Sequence, residues 1–489
     1  MRRNKNKAPE ILTNIRINDV AAEGKCIIKT TEGVIFVEGR PGYPMPAAGD
    51  LVDIKIVNQK KQYREATVER IIEPSAVRTE PFCEHFGICG GCKWQHIQYG
   101  EQLRFKYQQV VDHLTRIAKV SLPEIAPILR AEQTQYYRNK LEFTVADGRW
   151  LTQAEVQSGE QMDWRAVGFH VPGRFDKVLP IRHCYLQPNP SNDIRLAVAD
   201  YMFANNLSAY NLKTHQGYLR TLIIRTAAST GESTPGQLMV TMQVAQDHPD
   251  TLAALLNHLQ ERFPQITSLN YIINRKMNDN YGDQEVINYA GKPYIEETME
   301  AGTPDHPKLL TFRVNAKSFY QTNAQQAFEL YKIARDMAGL TGQEIVYDLY
   351  TGTGTIALFV AHQAKKVVGV EYVEAAVADA GVNAEVNGIS NATFYAGDMK
   401  NLLTEAFFAQ HGAPDVVITD PPRAGMDEAV VRQLLLAAPQ KIVYVSCNTA
   451  TQARDIAWLD EKYTVAAVQP VDMFPHTHHV ENVVLLVKK

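Results

Sequence analysis

Glu344-Ile-Val-Tyr-Asp-Leu-Tyr-Thr-Gly-Thr-Gly-Thr-Ile-Ala357 decides the fold of this chain. An apolar run empties into a G-x-G-x-x-A turn that opens a helix, the strand–turn–helix start of a nucleotide-type α/β sheet. The turn alone is a weak signal, since its glycines would equally suit a bare tight turn. Its context is stronger. Four further apolar runs each end on a residue able to do chemistry: Lys366-Val-Val-Gly-Val at Glu371, Thr393-Phe-Tyr-Ala-Gly at Asp398, Val416-Val-Ile-Thr at Asp420, and Lys441-Ile-Val-Tyr-Val-Ser at Cys447. Open α/β sheets bind ligands at the carboxyl ends of their strands, so the region after 340 is expected to be a parallel sheet with helices on both faces.

Glu371 follows Asp348 by 23 residues and is placed to bind a ribose diol, in NAD as well as in S-adenosylmethionine. The turn Asp420-Pro-Pro-Arg423 favours a methyl donor, and the absence of an aromatic after its prolines favours attack through a ring carbon over direct nitrogen methylation. Cys447, between Ser446 and Asn448, is a candidate nucleophile; Glu481 follows 34 residues later as a partner carboxylate. A free cysteine is more commonly a small buried hydrophobe, but these polar neighbours argue against that here. His476, His478 and His479 invite a metal reading that no cysteine or acid spacing supports.

The remainder of the chain is consistent with about three domains in 489 residues. Apolar residues make up 45% and charged residues 21%, as in ordinary globular proteins, and no apolar run reaches membrane-spanning length. Met1-Arg-Arg-Asn-Lys-Asn-Lys7 is basic but lacks a signal-peptide core, so a cytoplasmic location with reduced thiols is expected. Net charge is −4; residues 1–75 hold 13 Lys/Arg against 10 Asp/Glu, which leaves −7 for the rest. Any nucleic acid must therefore be held by local patches.

Short β-type runs at Cys26, Gly33, Leu51 and Ala66 predict a five-stranded OB-type barrel over residues 1–75, with Lys60, Lys61, Arg64 and Arg70 as a candidate phosphate-facing stripe. A helix is expected from Tyr99 to Ala118, burying Leu103, Tyr107, Val110, Val111, Leu114 and Ile117. Strands and hairpins are expected over 136–185, with a last boundary at Thr303-Pro-Asp-His-Pro307. Cys83, Cys89 and Cys92 are spaced C-x5-C-x2-C, and Cys184 offers a distant fourth thiolate. Four thiolates suit zinc or an iron–sulfur cluster, and spacing does not separate these. Arg138, Lys140, Arg165, His170, Arg174, Phe175, Lys177 and Arg182 interleave charge with aromatics, as a single-stranded RNA face would.

Taken as a set, Phe82-Cys-Glu-His-Phe-Gly-Ile-Cys-Gly-Gly-Cys-Lys-Trp-Gln-His96, Tyr137-Arg-Asn-Lys140, Ser318-Phe-Tyr-Gln-Thr-Asn323, the glycine turn, Asp420-Pro-Pro-Arg-Ala-Gly425 and Ser446-Cys-Asn448 resemble the RNA uracil-C5 methyltransferase family, in its iron–sulfur-containing branch acting on 23S ribosomal RNA. The resemblance covers nearly the whole chain. It implies a multidomain α/β protein: an N-terminal OB-like β-barrel (TRAM) over 1–75, a central α+β domain over 76–310 carrying a four-cysteine iron–sulfur site, and a C-terminal Rossmann-like methyltransferase domain over 311–489, on which helix 99–118 packs. It implies Cys447 as the nucleophile at uracil C6 and Glu481 as the general base. Gln321, Tyr350, Gly352, Gly354, Thr355, Glu371 and Asp420 fall near S-adenosylmethionine, with Asp398 as an adenine partner. Asp420 could instead accept the uracil N3–H, a contact that would reject cytosine, and Phe319 would stack on a base taken out of the RNA fold. The cysteines would hold a 4Fe-4S cluster, with zinc the less favoured occupant. A monomer acting on 23S ribosomal RNA is expected. The same reaction in the T-loop of transfer RNA is the alternative, followed by a catalytically silent RNA-binding assembly factor and an NAD-dependent oxidoreductase.

Overall fold

The computed structural model describes residues 10–227, 236–302 and 307–489. The basic N-terminal run and the boundary begun at Thr303 lie outside these.

The N-terminal segment forms one sheet, in the order Ile11–Arg16, Leu51–Gln59, Tyr63–Glu73, Gly33–Glu38, Cys26–Thr30, Asp19–Val20. It has six strands rather than the five expected, because the first breaks at Ile17 and Asn18. There the backbone N–H groups turn to Asp50 O and Ile27 O, both at 2.9 Å. The two halves of this bent strand pair with opposite ends of the sheet and curl it around Ile17, Cys26, Ile28, Ile35, Val37, Val52, Ile54, Ala66 and Val68. Of the predicted basic stripe, Arg64 is paired with Glu10 and Glu32 and Arg70 with Asp53.

The expected helix is present over Tyr99–His113, followed by a π turn to Ala118, and Lys119 ends it in the left-handed region at φ 56°. Its buried face differs from the one expected. Gln102, Phe105, Lys106, Val110 and Leu114 point inward, whereas Ile117 is 41% exposed. Val110 and Leu114 belong to the expected stripe; Gln102 and Lys106 lie outside it and are buried because both find partners in the C-terminal region.

A seven-stranded, mostly antiparallel sheet follows, running from Lys140–Ala146 to Ile287–Gly291, with helices Ser191–Ala204 and Pro249–Arg262 packed against it. The 136–185 segment also holds a short helix, Gln153–Ser158, which the reading of strands and hairpins missed. The Thr152–Glu155 capping box that starts it was legible as T-x-x-E.

The C-terminal sheet contains β1 (Ile345–Leu349), β2 (Lys366–Glu371), β3 (Ala392–Ala396), β4 (Val416–Thr419), β5 (Lys441–Ser446), β6 (Tyr463–Val471) and β7 (Glu481–Lys488). Their order is β3-β2-β1-β4-β5-β7-β6. The first five are parallel, and β7 pairs antiparallel with both β5 and β6. Cores lie on both faces: one includes Leu330, Ala334 and Phe359, the other Val430, Ile456 and Val110 of the long helix. Because β7 runs backwards, it begins at the edge where β1–β5 end. Among the described residues no helix is long and apolar enough to cross a membrane.

Candidate active site

Backbone geometry makes the floor of the site. After β1, Tyr350, Gly352 and Gly354 all take left-handed φ values of 63°, 56° and 80°. For Tyr350 that conformation stores strain of about 1–3 kcal/mol, of the kind that clusters at functional sites. No atom lies within 4 Å of a Cβ built on Gly352, whereas one on Gly354 would meet Ala380 and Phe394 at 3.0 and 3.1 Å. Gly352 therefore faces open space and Gly354 faces packed side chains.

Two carboxylates fix this turn. Glu371 accepts the Gly352 N–H at 3.1 Å and the Val373 N–H at 3.0 Å. Asp348, which the sequence reading used only to count from, is buried and accepts the Thr351 hydroxyl at 2.5 Å and the Ala357 N–H at 2.9 Å. Its signal was its place as the acid inside the strand preceding the glycine turn. Asp398 caps the short helix Met399–Leu402 and pairs with Lys400. Thr355 lies 3.4 Å from the Tyr331 hydroxyl.

The β5–β7 ladder brings the two candidate residues to one edge. Its last pair is Ser446 opposite Asn482; Cys447 follows Ser446, Glu481 precedes Asn482, and the Glu481 charge acts on the thiol. Cys447 is half-buried and Glu481 is buried. Burial, then the Glu481 and Asp420 charges, push the thiol up to about 11, while the Arg423 cation pulls it down. Burial and the Asp420 charge push Glu481 up to about 8. Asp420 itself is raised to about 7 by burial and by Asp348, which burial raises to about 7. The site is thus a group of carboxylates each resisting ionisation of its neighbour.

The Asp-Pro-Pro-Arg loop is tied to the nucleophile loop. Asn448 donates to Arg423 O at 2.8 Å, Thr451 to the same oxygen at 3.2 Å, and the Arg423 guanidinium lies 3.2 Å from His479 Nδ1. Phe319 is 70% exposed beside the glycine turn, its carbonyl accepting the Thr353 hydroxyl at 3.3 Å. The central sheet anchors its segment: Asn139 donates to Gln321 O at 3.0 Å and Thr322 O at 2.7 Å, and buried Arg225 donates to Ser318 O at 2.9 Å.

Away from this edge, Cys83, Cys89, Cys92 and Cys184 line one small cavity, and none is in a disulfide. Among the described residues no three His, Cys, Asp or Glu side chains are grouped as ligands of a metal ion, and His476, His478 and His479 form no such group. The expected RNA face is largely consumed by internal pairs. Arg165 binds Asp163 and Leu207 O, Arg174 and Lys213 share Asp176, and Lys140 binds Glu142. Phe175 and Arg182 remain exposed.

A family model described as tRNA (Uracil-5-)-methyltransferase matches residues 236–489. The chain belongs to the RNA uracil-C5 methyltransferase family. An uncharacterized RNA methyltransferase of Bacteroides thetaiotaomicron is 56% identical, over 96% of this chain and 99% of its own length. One from Chlorobaculum tepidum is 39% identical, over 96% and 95%. Among solved structures, the Pyrococcus abyssi tRNA (uracil-54, C5)-methyltransferase in complex with S-adenosyl-L-homocysteine superposes with a TM-score of 0.71 at 25% identity, covering 97% of this chain and 100% of that one. Family membership makes the chain an RNA methyltransferase and sets aside the oxidoreductase reading.

Proposed function

We propose that this enzyme methylates carbon 5 of a uridine in RNA, with S-adenosylmethionine as donor, Cys447 as nucleophile and Glu481 as base. The observation that carries the proposal is the adjacency of Cys447 and Glu481 at the edge where the glycine turn opens. The turn fits a nucleoside donor: Gly352 leaves room for close approach, and the Glu371 carboxylate, beside it, is available to a ribose diol. Gln321, Tyr350, Thr355, Asp398 and Asp420 complete the surround. When bound, the donor supplies an electrophilic methyl group on a sulfonium.

Uracil C5 is a poor nucleophile until the ring is made electron-rich. Cys447 Sγ forms a bond to C6, and the displaced electron pair makes C5 an enolate carbon that takes the methyl. Glu481 then removes the C5 proton, the C5–C6 double bond re-forms, and the thiolate leaves. Burial and the neighbouring Asp420 carboxylate raise the affinity of Glu481 for that proton. Phe319, exposed at the rim, stacks on the extruded base.

The four cysteines line one cavity, and four thiolates suit a 4Fe-4S cluster or zinc; the family resemblance favours the cluster. Cys83, Cys89, Cys92 and Cys184 would hold the group and join the 83–92 loop to the loop that carries Cys184. In this reading residues 1–75 are a TRAM-type RNA-binding barrel, 76–310 the cluster-bearing domain and 311–489 the catalytic domain, acting as a cytoplasmic monomer. The target favoured is 23S ribosomal RNA; the Pyrococcus abyssi likeness favours the transfer RNA T-loop as the second reading. Mapping 5-methyluridine in ribosomal and transfer RNA from cells with and without the protein decides between them. Unchanged maps in both would reject the activity. Iron and sulfide in anaerobically purified protein test the cluster, and stoichiometric zinc without iron would refute it.

A further inference from the structure

We infer that Gln102, on the helix far from the catalytic edge in sequence, is a positioning residue for Glu481; the inference rests on the reading of Glu481 as the base. The segment from Asp472 to Val480 leads directly into Glu481. Very little of it is held by its own bonds. Its centre, His476, sits at φ 63°, a left-handed conformation that a non-glycine residue keeps only when its surroundings impose it.

At His476 itself those surroundings are chiefly Gln102 and the residues that follow the cysteine loop; Lys106, Tyr137 and Asn323 hold the carbonyls of Phe474, Pro475 and Met473 just before it. Gln102 Oε1 accepts the His476 N–H at 2.9 Å, and its Nε2 reaches His476 Nδ1 at 3.2 Å. The same Nε2 donates to Trp94 O at 2.9 Å and Ile97 O at 2.8 Å. In return, the N–H groups of Lys93 and Trp94 donate to His476 O at 2.9 and 3.0 Å. Both residues come immediately after Cys92. His476 is therefore held at its amide and its carbonyl, with its ring close to Gln102 Nε2, and Gln102 bonds both His476 and the turn after Cys92. The amide is fully buried, so none of these bonds has a solvent substitute.

Among the residues joining the segment to the rest of the fold, Gln102 is suited to a test because it neither lines the site nor belongs to the four cysteines. Its loss frees the His476 segment to relax, and Glu481, five residues on, drifts from the C5 proton. Cys447 directly follows β5 and stays in place. The step affected is breaking of the C5–H bond, with the proton passing to Glu481, the pair returning to C5–C6 and Cys447 Sγ leaving C6. Thiol addition and methyl transfer come earlier and are spared.

The test uses the full-length protein, uridine RNA labelled with tritium at C5, and S-adenosylmethionine labelled in its methyl group. Single-turnover methyl transfer and tritium release are followed together for wild type, Gln102→Leu, Gln102→Glu and Glu481→Gln. The expected result is that Gln102→Leu transfers methyl at near the wild-type rate but releases tritium about tenfold more slowly, so a methylated protein–RNA conjugate accumulates. Gln102→Glu keeps the acceptor for His476 N–H and should show the same split more weakly; it decides the matter if the leucine variant does not fold. Equal slowing of both steps, or of neither, in the folded variants overturns the inference. If Glu481→Gln stalls while the Gln102 variants do not, the positioning role alone fails. If Glu481→Gln releases tritium normally, the assignment of the base fails, and this inference with it.

Discussion

Cys447 and Glu481 flank the last pair of the β5–β7 ladder, Ser446–Asn482, which brings a thiol and a carboxylate within electrostatic reach at antiparallel strand ends. The pair is a product of topology. A parallel strand at that position would have ended, not begun, at the ligand edge.

Glu481→Gln should still form a protein–RNA conjugate but fail to release it, because the C5 proton has no acceptor. Denaturing gels of the variant with substrate RNA should show a persistent slow band. Cys447→Ala should show no band and no methylation; methylation retained by that variant would contradict a covalent route.

Stability should respond to pH through the buried acids. Glu481 is raised from an ordinary 4.5 to about 8 in the fold. Between those values the unfolded chain has released a proton that the folded chain keeps, so stability falls as pH rises through the window. Asp420 and Asp348, raised from 3.8 to about 7, act in the same direction. Glu481→Gln removes one such contribution. Its unfolding free energy relative to wild type, read from denaturant melts, should therefore climb between pH 5 and pH 8, by on the order of a few kcal/mol at most. A difference independent of pH would show that the carboxyl is ionised in the fold.

The two turn glycines should separate binding from stability. Gly352→Ala places a methyl in open space, so it should weaken donor binding while costing only the left-handed penalty of about 1–2 kcal/mol. Gly354→Ala adds contacts at 3.0–3.2 Å to that same penalty and should lower the melting temperature further. Calorimetric titration with S-adenosylmethionine and thermal unfolding measure the two effects.

Much of the catalytic edge was legible because strand ends carry their chemistry in sequence order: Glu371, Asp398, Asp420 and Cys447 each close an apolar run. What was not legible depends on partners far along the chain. Lys106 and Gln102 look like solvent-facing residues in an amphipathic helix, yet both are buried, Lys106 against Asp472 at 2.5 Å and Gln102 against His476. Arg165, Arg174 and Lys140 show the same limit from the other side. They look like RNA contacts, and each also pairs with an acid two residues away, Asp163, Asp176 and Glu142. Charge pattern shows that a residue is cationic; it does not show whether the fold has already neutralised it.

Lys106→Met should be costly for that reason. It strands the Asp472 carboxylate in the interior with Tyr99 as its remaining side-chain donor, a loss of about 3–5 kcal/mol. Denaturant unfolding should show the midpoint fall, and Lys106→Met combined with Asp472→Asn should recover part of it. A single variant as stable as wild type would mean that the pair is not buried.

The most direct measurement is trapping with RNA carrying 5-fluorouridine in place of uridine, in the presence of S-adenosylmethionine. Fluorine at C5 cannot leave as a proton, so the account predicts a stable methylated conjugate whose peptide map places the RNA on Cys447. Methylation of ordinary RNA by an enzyme that forms no such conjugate, or forms it through another residue, would contradict it.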